Sequence, residues 1–161
     1  MTIHHRWIEA VIDGPAQGLD RSRQDARGKR FDGKKNESNK KRIAHIFREL
    51  CFNEGYKLPL LPGQNGYTIL IAINVKVPGK FAKTYLERSK AGTLRPQKTP
   101  DVDNVAKLYL DALVQGGIIE DDRCVTQLSV SRWYSEKDYT TCSIGFHCAP
   151  QTKEEGDEDE E

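Results

Sequence analysis

The sequence lacks a long run of apolar residues. Its longest run, residues 69–73, has five members, whereas a helix that crosses a bilayer needs about 20. The opening residues, Met-Thr-Ile-His-His-Arg, contain no apolar stretch of the length that a secretory signal requires. We therefore expect neither a membrane-spanning helix nor a signal peptide, and we predict a soluble, cytoplasmic protein.

Cysteine is also scarce. The chain has four: Cys51, Cys124, Cys142 and Cys148. No two form a Cys-x-x-Cys pair, which excludes a zinc ribbon and a thiol redox motif of that type. Cys142, His147 and Cys148 are close enough in sequence to share a metal ion. However, Cys142 and Cys148 alternate with Ile144 and Phe146, which favours a role as small packing residues of a strand.

A net charge of only +1 conceals two basic segments and an acidic end. Residues 154–161 hold seven carboxylates, and the rest of the chain has a formal charge of +8. Residues 21–48 contain eleven Lys or Arg against three Asp or Glu, and residues 80–98 contain six against one. Because basic surfaces bind polyanions with release of counterions, this distribution favours a nucleic-acid partner. We expect residues 151–161 to be a disordered acidic tail.

Hydrophobic periodicity predicts six elements in one domain over residues 1–150. In chain order they are a strand over 6–13, a helix from Ser38 to about Gly55, a strand over 67–77, a helix over 103–115, and strands over 125–134 and 139–148. The β-α-β-α-β-β order predicts an α+β domain, a small mixed sheet with helices packed on it. Residues 16–37 and the segment after 77 show no such periodicity, so we expect basic loops there.

The candidate chemistry lies around the start of the helix over 103–115. Asp101 and Asp103 are alternate residues, which project to the same side while the backbone is extended. Lys107 follows Asp103 by one helical turn and shares its face. Two glycines end this helix, so the chain can reverse and return Asp121 and Asp122 toward the helix start.

Carboxylates gathered in this way repel one another unless a cation shares them. Oxygen ligands with room for water and phosphate suit Mg²⁺ or Mn²⁺, and Lys107 adds a positive group for a phosphate oxygen. Together these residues predict metal-assisted hydrolysis of phosphodiesters. The structural alternative is that Asp101 or Asp103 caps the helix and that residues 121–122 form a turn.

The whole pattern resembles the RusA family of Holliday junction resolvases. Residues 100–107 read P-D-V-D-N-V-A-K, residues 110–113 read L-D-A-L, and residues 121–122 read D-D. In that family, a P-D-x-D-N-x-x-K helix start and a later D-D pair form the active site. The resemblance is dense over residues 98–134 and extends loosely, through the order of elements, to residues 6–148.

The resemblance implies roles for individual residues. By position, Asp101, Asp103 and Asp122 match the family's metal-binding carboxylates, and Lys107 matches its essential lysine. Asp121 directly precedes the third carboxylate and is the residue most easily confused with it. The family further implies Mg²⁺ or Mn²⁺ as cofactor, a homodimer, and symmetric nicking of four-way DNA junctions.

Basic residues predict where DNA phosphates are held. The candidates are Arg21, Arg23, Lys29, Arg30 and Lys98. The arginine-rich loop of the family is preceded here by a few extra residues, the segment over 81–95 is long, and the acidic tail is an addition. These departures leave the chemistry intact and bear on which DNA structure is preferred.

The sequence therefore predicts a metal-dependent endodeoxyribonuclease that resolves four-way junctions. A basic DNA-binding or regulatory module without catalysis is one alternative, in which the carboxylates are caps and a turn. A glycosyltransferase that holds a metal and a nucleotide sugar through Asp-x-Asp is another, although it needs a larger nucleotide-binding domain than 161 residues readily provide.

Overall fold

Nine helices and strands make up the part of the chain that the structure, a computed structural model, describes: residues 4–20, 23–31 and 33–148. In chain order they are β1 (His4–Asp13), β2 (Arg23–Gln24), β3 (Arg30–Phe31), α1 (Lys34–Asn53), β4 (Tyr67–Lys76), α2 (Ala82–Lys90), α3 (Val102–Gln115), β5 (Val125–Ser135) and β6 (Tyr139–Cys148). Short 3-10 turns precede α2 and β5. The predicted α+β class and mixed sheet are confirmed.

Strand β4 lies inside the main sheet, as its sequence requires. Tyr67, Ile69, Ile71 and Ile73 are all buried, and they occupy alternate positions that face the helices. The strand order is β1-β6-β4-β5; β4 pairs antiparallel with β6 and parallel with β5, and β1 pairs antiparallel with β6. An alternating strand with both neighbours present buries its inward side chains completely, which explains why its periodicity is so clear.

Strands β5 and β6 follow each other in sequence but are separated in the sheet by β4. The polar turn between them passes the end of β4. There, the backbone N–H of Lys76 donates to the Asp138 carboxylate at 2.8 Å, and the N–H of Val77 donates to the Ser135 carbonyl at 3.0 Å. The turn therefore satisfies backbone groups at the end of the central strand instead of closing a hairpin.

Helices α1 and α3 cover the sheet and pack against each other. Their inward faces contribute Ile43, Phe47, Leu108 and Leu113 to the core, with exposed fractions of 4% or less. The helices approach closely at Gly116, where an added Cβ would lie 2.5 Å from the Ala44 Cβ, so glycine is required there for close packing. The left-handed residue that ends α3 is the next one, Gly117, with φ of 71°.

Three features of the fold differ from the sequence predictions. Helix α1 begins at Lys34, four residues before Ser38, because its first turn carries charged and polar residues that give no apolar periodicity. The expected loop over 16–37 also contains the short β2–β3 hairpin. The expected loop after β4 contains α2, whose nine residues bury mainly Ser89 and therefore have almost no hydrophobic pattern.

Cys51 and Cys142 form no disulfide, and burial explains both of them. Cys51 and Cys142 are fully buried in the core beside Ile144 and Phe146, so the predicted packing role of Cys142 is confirmed. Burial raises the pKa of the Cys51 thiol to about 11, and it raises the pKa of Cys142 further. Both therefore remain protonated thiols at neutral pH.

The described helices include none that is long and apolar enough to span a bilayer. The predicted acidic tail over 151–161 lies outside the described residues.

Candidate active site

Asp101 stands at the N-terminal boundary of α3. It is the residue that caps the helix by position, with extended backbone angles of φ −64° and ψ 149°, and its carbonyl accepts from the Val105 N–H at 3.1 Å. Its carboxylate, however, makes no capping hydrogen bond. An aspartate at this position ordinarily stabilises the helix, because its carboxylate accepts a hydrogen bond from an unpaired N–H of the first turn. Here the side chain is exposed and available for another partner.

Asp103 and Lys107 lie one turn apart on the exposed face of α3. The Lys107 Nζ is 3.9 Å from an Asp103 carboxylate oxygen, and the two side chains are 63% and 66% exposed. The prediction that Lys107 lies beside Asp103 on one face of the helix is therefore confirmed. A pair this long and this exposed contributes less than about 0.5 kcal/mol to stability. Both groups are free to exchange this contact for one with a bound ligand.

Arg132 of β5 holds the segment that leads into Asp101. Its guanidinium donates to the carbonyl of Lys98 and to the carbonyl of Pro100. The Arg132 carbonyl in turn accepts from the Arg95 guanidinium at 2.9 Å. Two carbonyls on either side of residue 99 are thus fixed by one planar group, which sets the direction in which the chain enters α3.

The loop after β1 braces the same helix start from the other side. Leu19 donates its N–H to the Asn104 carbonyl at 3.0 Å. Gly18 lies so close that an added Cβ would be 2.6 Å from the Pro100 Cβ. Asn36, which is only 1% exposed, exchanges two 3.1 Å hydrogen bonds with the backbone of Asp20. The start of α3 is therefore held between this loop and Arg132.

The aspartate in the L-D-A-L stretch has a structural partner. Asp111 of α3 lies 3.4 Å from the Nζ of Lys40 on α1, and the Lys40 side chain is only 3% exposed. A buried ammonium needs such a partner because desolvation of an unpaired charge is costly. Asp111 therefore fixes how α3, with its exposed carboxylates, sits on α1.

Asp121 and Asp122 have different surroundings. Both oxygens of Asp121 accept from the Arg123 guanidinium, at 2.9 and 3.1 Å, and one oxygen also accepts from the Arg123 backbone N–H at 2.8 Å. The Arg123 side chain, followed by its backbone N–H, holds the pKa of Asp121 well below its usual value. Asp122 is exposed and begins the 3-10 turn Asp122–Cys124, which packs against α3. Of the two, Asp122 has the less occupied carboxylate.

The carboxylates are the type of ligand that suits a hard divalent cation, but in the described part of the chain they do not form a metal-binding cluster. Asp101, Asp103 and Asp122 offer exposed carboxylate oxygens, the type of ligand that Mg²⁺ and Mn²⁺ prefer. Within the described ranges, no three His, Cys, Asp or Glu side chains form a group able to hold a metal ion. The assignment of these three carboxylates as metal ligands therefore stays a prediction. The alternative metal group at Cys142, His147 and Cys148 is likewise not formed.

The predicted phosphate-binding residues are exposed wherever the structure describes them. Lys29 and Arg30 lie at the β2–β3 hairpin, and Lys98 lies in the segment that Arg132 holds. Arg21 lies outside the described residues, and the side chain of Arg23 does as well. Exposed cations thus occur both in the hairpin region and directly before the helix start.

Sequence reasoning missed the residues that brace the site. Arg132 and Asn36 are polar residues whose positions face the interior, so their side chains must find buried partners. The available signal was a charged residue in the inward phase of β5, between Val130 and Tyr134. From periodicity alone, such a residue looks like an interruption of the apolar pattern, and its hydrogen bonds to a distant segment cannot be predicted.

Two comparisons place the chain among known proteins. A 56-residue stretch is 45% identical to the uncharacterized protein YqaN of Bacillus subtilis (strain 168); the match covers 35% of this chain and 39% of YqaN. The family model for the endodeoxyribonuclease RusA matches residues 13–144, which include β4, all three helices, β5 and the carboxylates described above. The chain therefore belongs to the RusA endodeoxyribonuclease family.

Proposed function

We propose that this protein is a metal-dependent endodeoxyribonuclease that cleaves phosphodiesters at branched DNA, with four-way junctions as its substrate. The observation that carries the proposal is the carboxylate of Asp101, which stands at a helix start without a capping hydrogen bond. The surrounding chain holds that helix start through Arg132 and Gly18. A carboxylate that is supported by its surroundings and makes no capping hydrogen bond is well placed to bind a ligand.

Asp101, Asp103 and Asp122 are the residues that would hold Mg²⁺ or Mn²⁺. Such an ion, when bound, activates water and stabilises the leaving oxygen. The contribution of the protein is to keep Asp101 and Asp103 exposed on one turn of a fixed helix and to set the turn that contains Asp122 against α3.

Lys107 would stabilise negative charge on the phosphate undergoing attack. Its ammonium is 63% exposed and only 3.9 Å from Asp103, so it can approach a phosphate oxygen without leaving the site. Stabilising charge that develops in the transition state is a large catalytic effect when the donor is held in place beforehand. The lysine also offsets the repulsion between the aspartates and the incoming phosphates.

The exposed cations position DNA. Lys29, Arg30 and Lys98, together with the predicted contributions of Arg21 and Arg23, would contact phosphates and not base edges. A homodimer would present two such sites related by a two-fold axis, which matches the symmetry of a four-way junction. Light scattering of the protein at working concentration should then give about twice 18.3 kDa; a monomer that still cleaves junctions would contradict this arrangement.

The test is a cleavage assay on a synthetic four-way junction of defined sequence, with the linear duplex of one arm as control. We expect nicks near the branch point in Mg²⁺ or Mn²⁺, none in EDTA, and little cleavage of the duplex. Binding of the junction without cleavage under every metal condition would indicate the non-catalytic DNA-binding alternative. Absence of both binding and cleavage would overturn the proposal altogether.

A further inference from the structure

Three aromatic side chains meet where α2 and the turn before it pack on β5. We call them the aromatic patch, which consists of Phe81, Tyr85 and Tyr134. Phe81 is 62% exposed. Its ring stacks on Tyr85, with centroids 6.5 Å apart and planes inclined by 28°, and Tyr85 meets Tyr134 edge-on at 5.0 Å. Such exposure of a stacked ring is not explained by folding.

Polar contacts hold the patch in place. The fully buried hydroxyl of Ser89 on α2 accepts from the Tyr134 N–H at 2.9 Å and fixes the helix to β5. A depression of about 750 Å³, open to solvent, borders Tyr134 and is also lined by Leu86, Lys90, Glu136 and Lys137. It therefore has two cationic side chains and one acidic side chain beside the aromatic ring.

Cations lie close to the patch and on the other face of the sheet. On that other face, the Arg95 guanidinium lies 3.4 Å from the centre of the Trp133 ring, and the Lys137 ammonium lies 5.8 Å from that of Tyr139. Lys137 also pairs with Asp13 at 3.6 Å. Lys80, Lys83 and Lys90 are exposed nearby, and residues 80–98 have six cations against the single acid Glu87. The surface therefore combines flat apolar rings with an excess of positive charge.

We propose that the aromatic patch binds unpaired nucleotides of a DNA strand: Phe81 stacks on a base, Tyr85 supports its ring, and the neighbouring lysines hold phosphates. Stacking platforms inside a cationic surface are the recognised means of binding single strands without sequence preference. A partner protein with acidic residues would match the charge, but it would leave the stacked rings without a planar ligand. The charge and the rings together favour nucleic acid.

The patch is connected to the candidate active site. Arg95, which covers Trp133, donates to the carbonyl of Arg132, and Arg132 holds the carbonyls of Lys98 and Pro100 directly before Asp101. Tyr134 of the patch follows Arg132 by two residues on β5, so the patch and the start of α3 are attached to the same end of this strand. This proposal rests on the proposed function in that respect: it supplies a site for bases unstacked at a branch point, beside the place of cleavage.

The test compares Phe81→Ala with Phe52→Ala, because Phe52 is an even more exposed phenylalanine, at 84%, and lies on a different helix, in the last turn of α1. Binding of a fluorescein-labelled 12-nucleotide oligothymidine is measured by anisotropy in EDTA, so that cleavage does not interfere. We expect Phe81→Ala to weaken binding about tenfold, Phe52→Ala to leave it unchanged, and Phe81→Trp to restore it. Lys83→Gln should reduce the salt dependence by about one counterion, whereas Phe81→Ala should leave that slope unchanged.

The outcomes separate this proposal from the proposed function. Equal affinity of Phe81→Ala and wild type for the oligonucleotide would overturn the patch, even if junctions are still cleaved. A change of sedimentation coefficient in Phe81→Ala without a change in DNA affinity would also overturn it, because the patch would then join copies of this chain. Loss of oligonucleotide binding in Phe81→Ala, together with a wild-type protein that cleaves no junction, would support the patch and overturn the nuclease.

Discussion

Asp101 and Asp121 both stand directly before a helical segment, but their carboxylates differ in whether they accept hydrogen bonds there. Asp121 precedes a 3-10 turn, and its carboxylate accepts three hydrogen bonds from Arg123. Asp101 precedes a fourteen-residue helix with more unsatisfied N–H groups, yet its carboxylate accepts none of them. Asp101, which precedes the longer helix and so has more N–H groups within reach, is therefore the aspartate that does not cap.

This difference distinguishes a carboxylate that stabilises the local structure from one that is open to a ligand. The carboxylate of Asp121 is occupied by a neighbour two residues away, so it contributes locally to the shape of the turn. Asp101 is surrounded by elements that fix its backbone while leaving its oxygens free. The exposed carboxylate of Asp101 is solvated but does not make a capping hydrogen bond, an interaction that stabilises a helix by about 1 kcal/mol. A binding site tolerates such a loss when the carboxylate serves a ligand instead.

Asp101→Asn is expected to have the largest effect. The change removes one negative charge but keeps size and capping ability, because asparagine caps helices about as well as aspartate. Junction cleavage in Mg²⁺ should fall at least about a hundredfold, since both water activation and charge stabilisation depend on the ion. The thermal melt should be unchanged, and junction binding in EDTA should be retained or tighter. A variant that melts normally and cleaves at the wild-type rate would show that Asp101 takes no part in cleavage.

Lys107→Ala is expected to lower the cleavage rate by about ten- to a hundredfold, because it removes the ammonium that we propose stabilises charge on the phosphate. Its long, exposed contact with Asp103 is too weak to affect the melting temperature measurably. Single-turnover rates at saturating protein measure the effect apart from binding. Lys41→Ala, an exposed lysine of α1, is the matched control and should cleave like wild type.

Gly18→Ala tests the bracing of Asp101 and is expected to reduce cleavage about tenfold. The new methyl group would lie 2.6 Å from the Pro100 Cβ and 3.2 Å from the Asn104 Cβ, so the loop or the helix start must shift. Gly33→Ala is the control, because an added Cβ there meets nothing within 4 Å and the backbone φ is −66°. Similar single-turnover cleavage by the two variants would show that the loop does not position the site.

Asp121→Asn is expected to have the smallest effect. The substitution weakens the contact with Arg123, but that pair is exposed, with the arginine side chain 87% accessible. Cleavage should stay within about threefold of wild type, and the melting temperature within about 2 °C. A loss of cleavage as large as that of Asp101→Asn would show that the occupied carboxylate is also catalytic.

The elements with a strong apolar period could be predicted from the sequence. The alternation from Tyr67 to Ile73 marks the central strand, and the spacing of Ile43, Phe47 and Cys51 marks α1. Helix α2 was not predicted. It contacts β5 through the Ser89 hydroxyl and through the edge-on pair of Tyr85 and Tyr134, and these contacts produce no helical hydrophobic pattern in the sequence. Where polar contacts attach an element, periodicity has nothing to detect.

The site divides in the same way. The positions of Asp101 and Lys107 follow from local spacing along one helix, so the sequence predicts them directly. The braces do not, because Arg132 and Asn36 act on backbone groups 32 to 34 and 16 residues away in sequence. Contacts of this kind depend on strand order, which the motif itself does not encode.

The pairing of β1 with β6 has a consequence for synthesis of the protein. The first and last strands of the described chain are neighbours, and β6 also separates β1 from β4. While the ribosome has not yet released residues 139–148, β1 has no partner and β4 exposes one edge. Nascent chains therefore assemble the sheet beneath α1 and α3 only after residues 139–148 have left the ribosome. A nuclease built in this order acquires its site after β6 has joined the sheet, although every residue of the site precedes that strand.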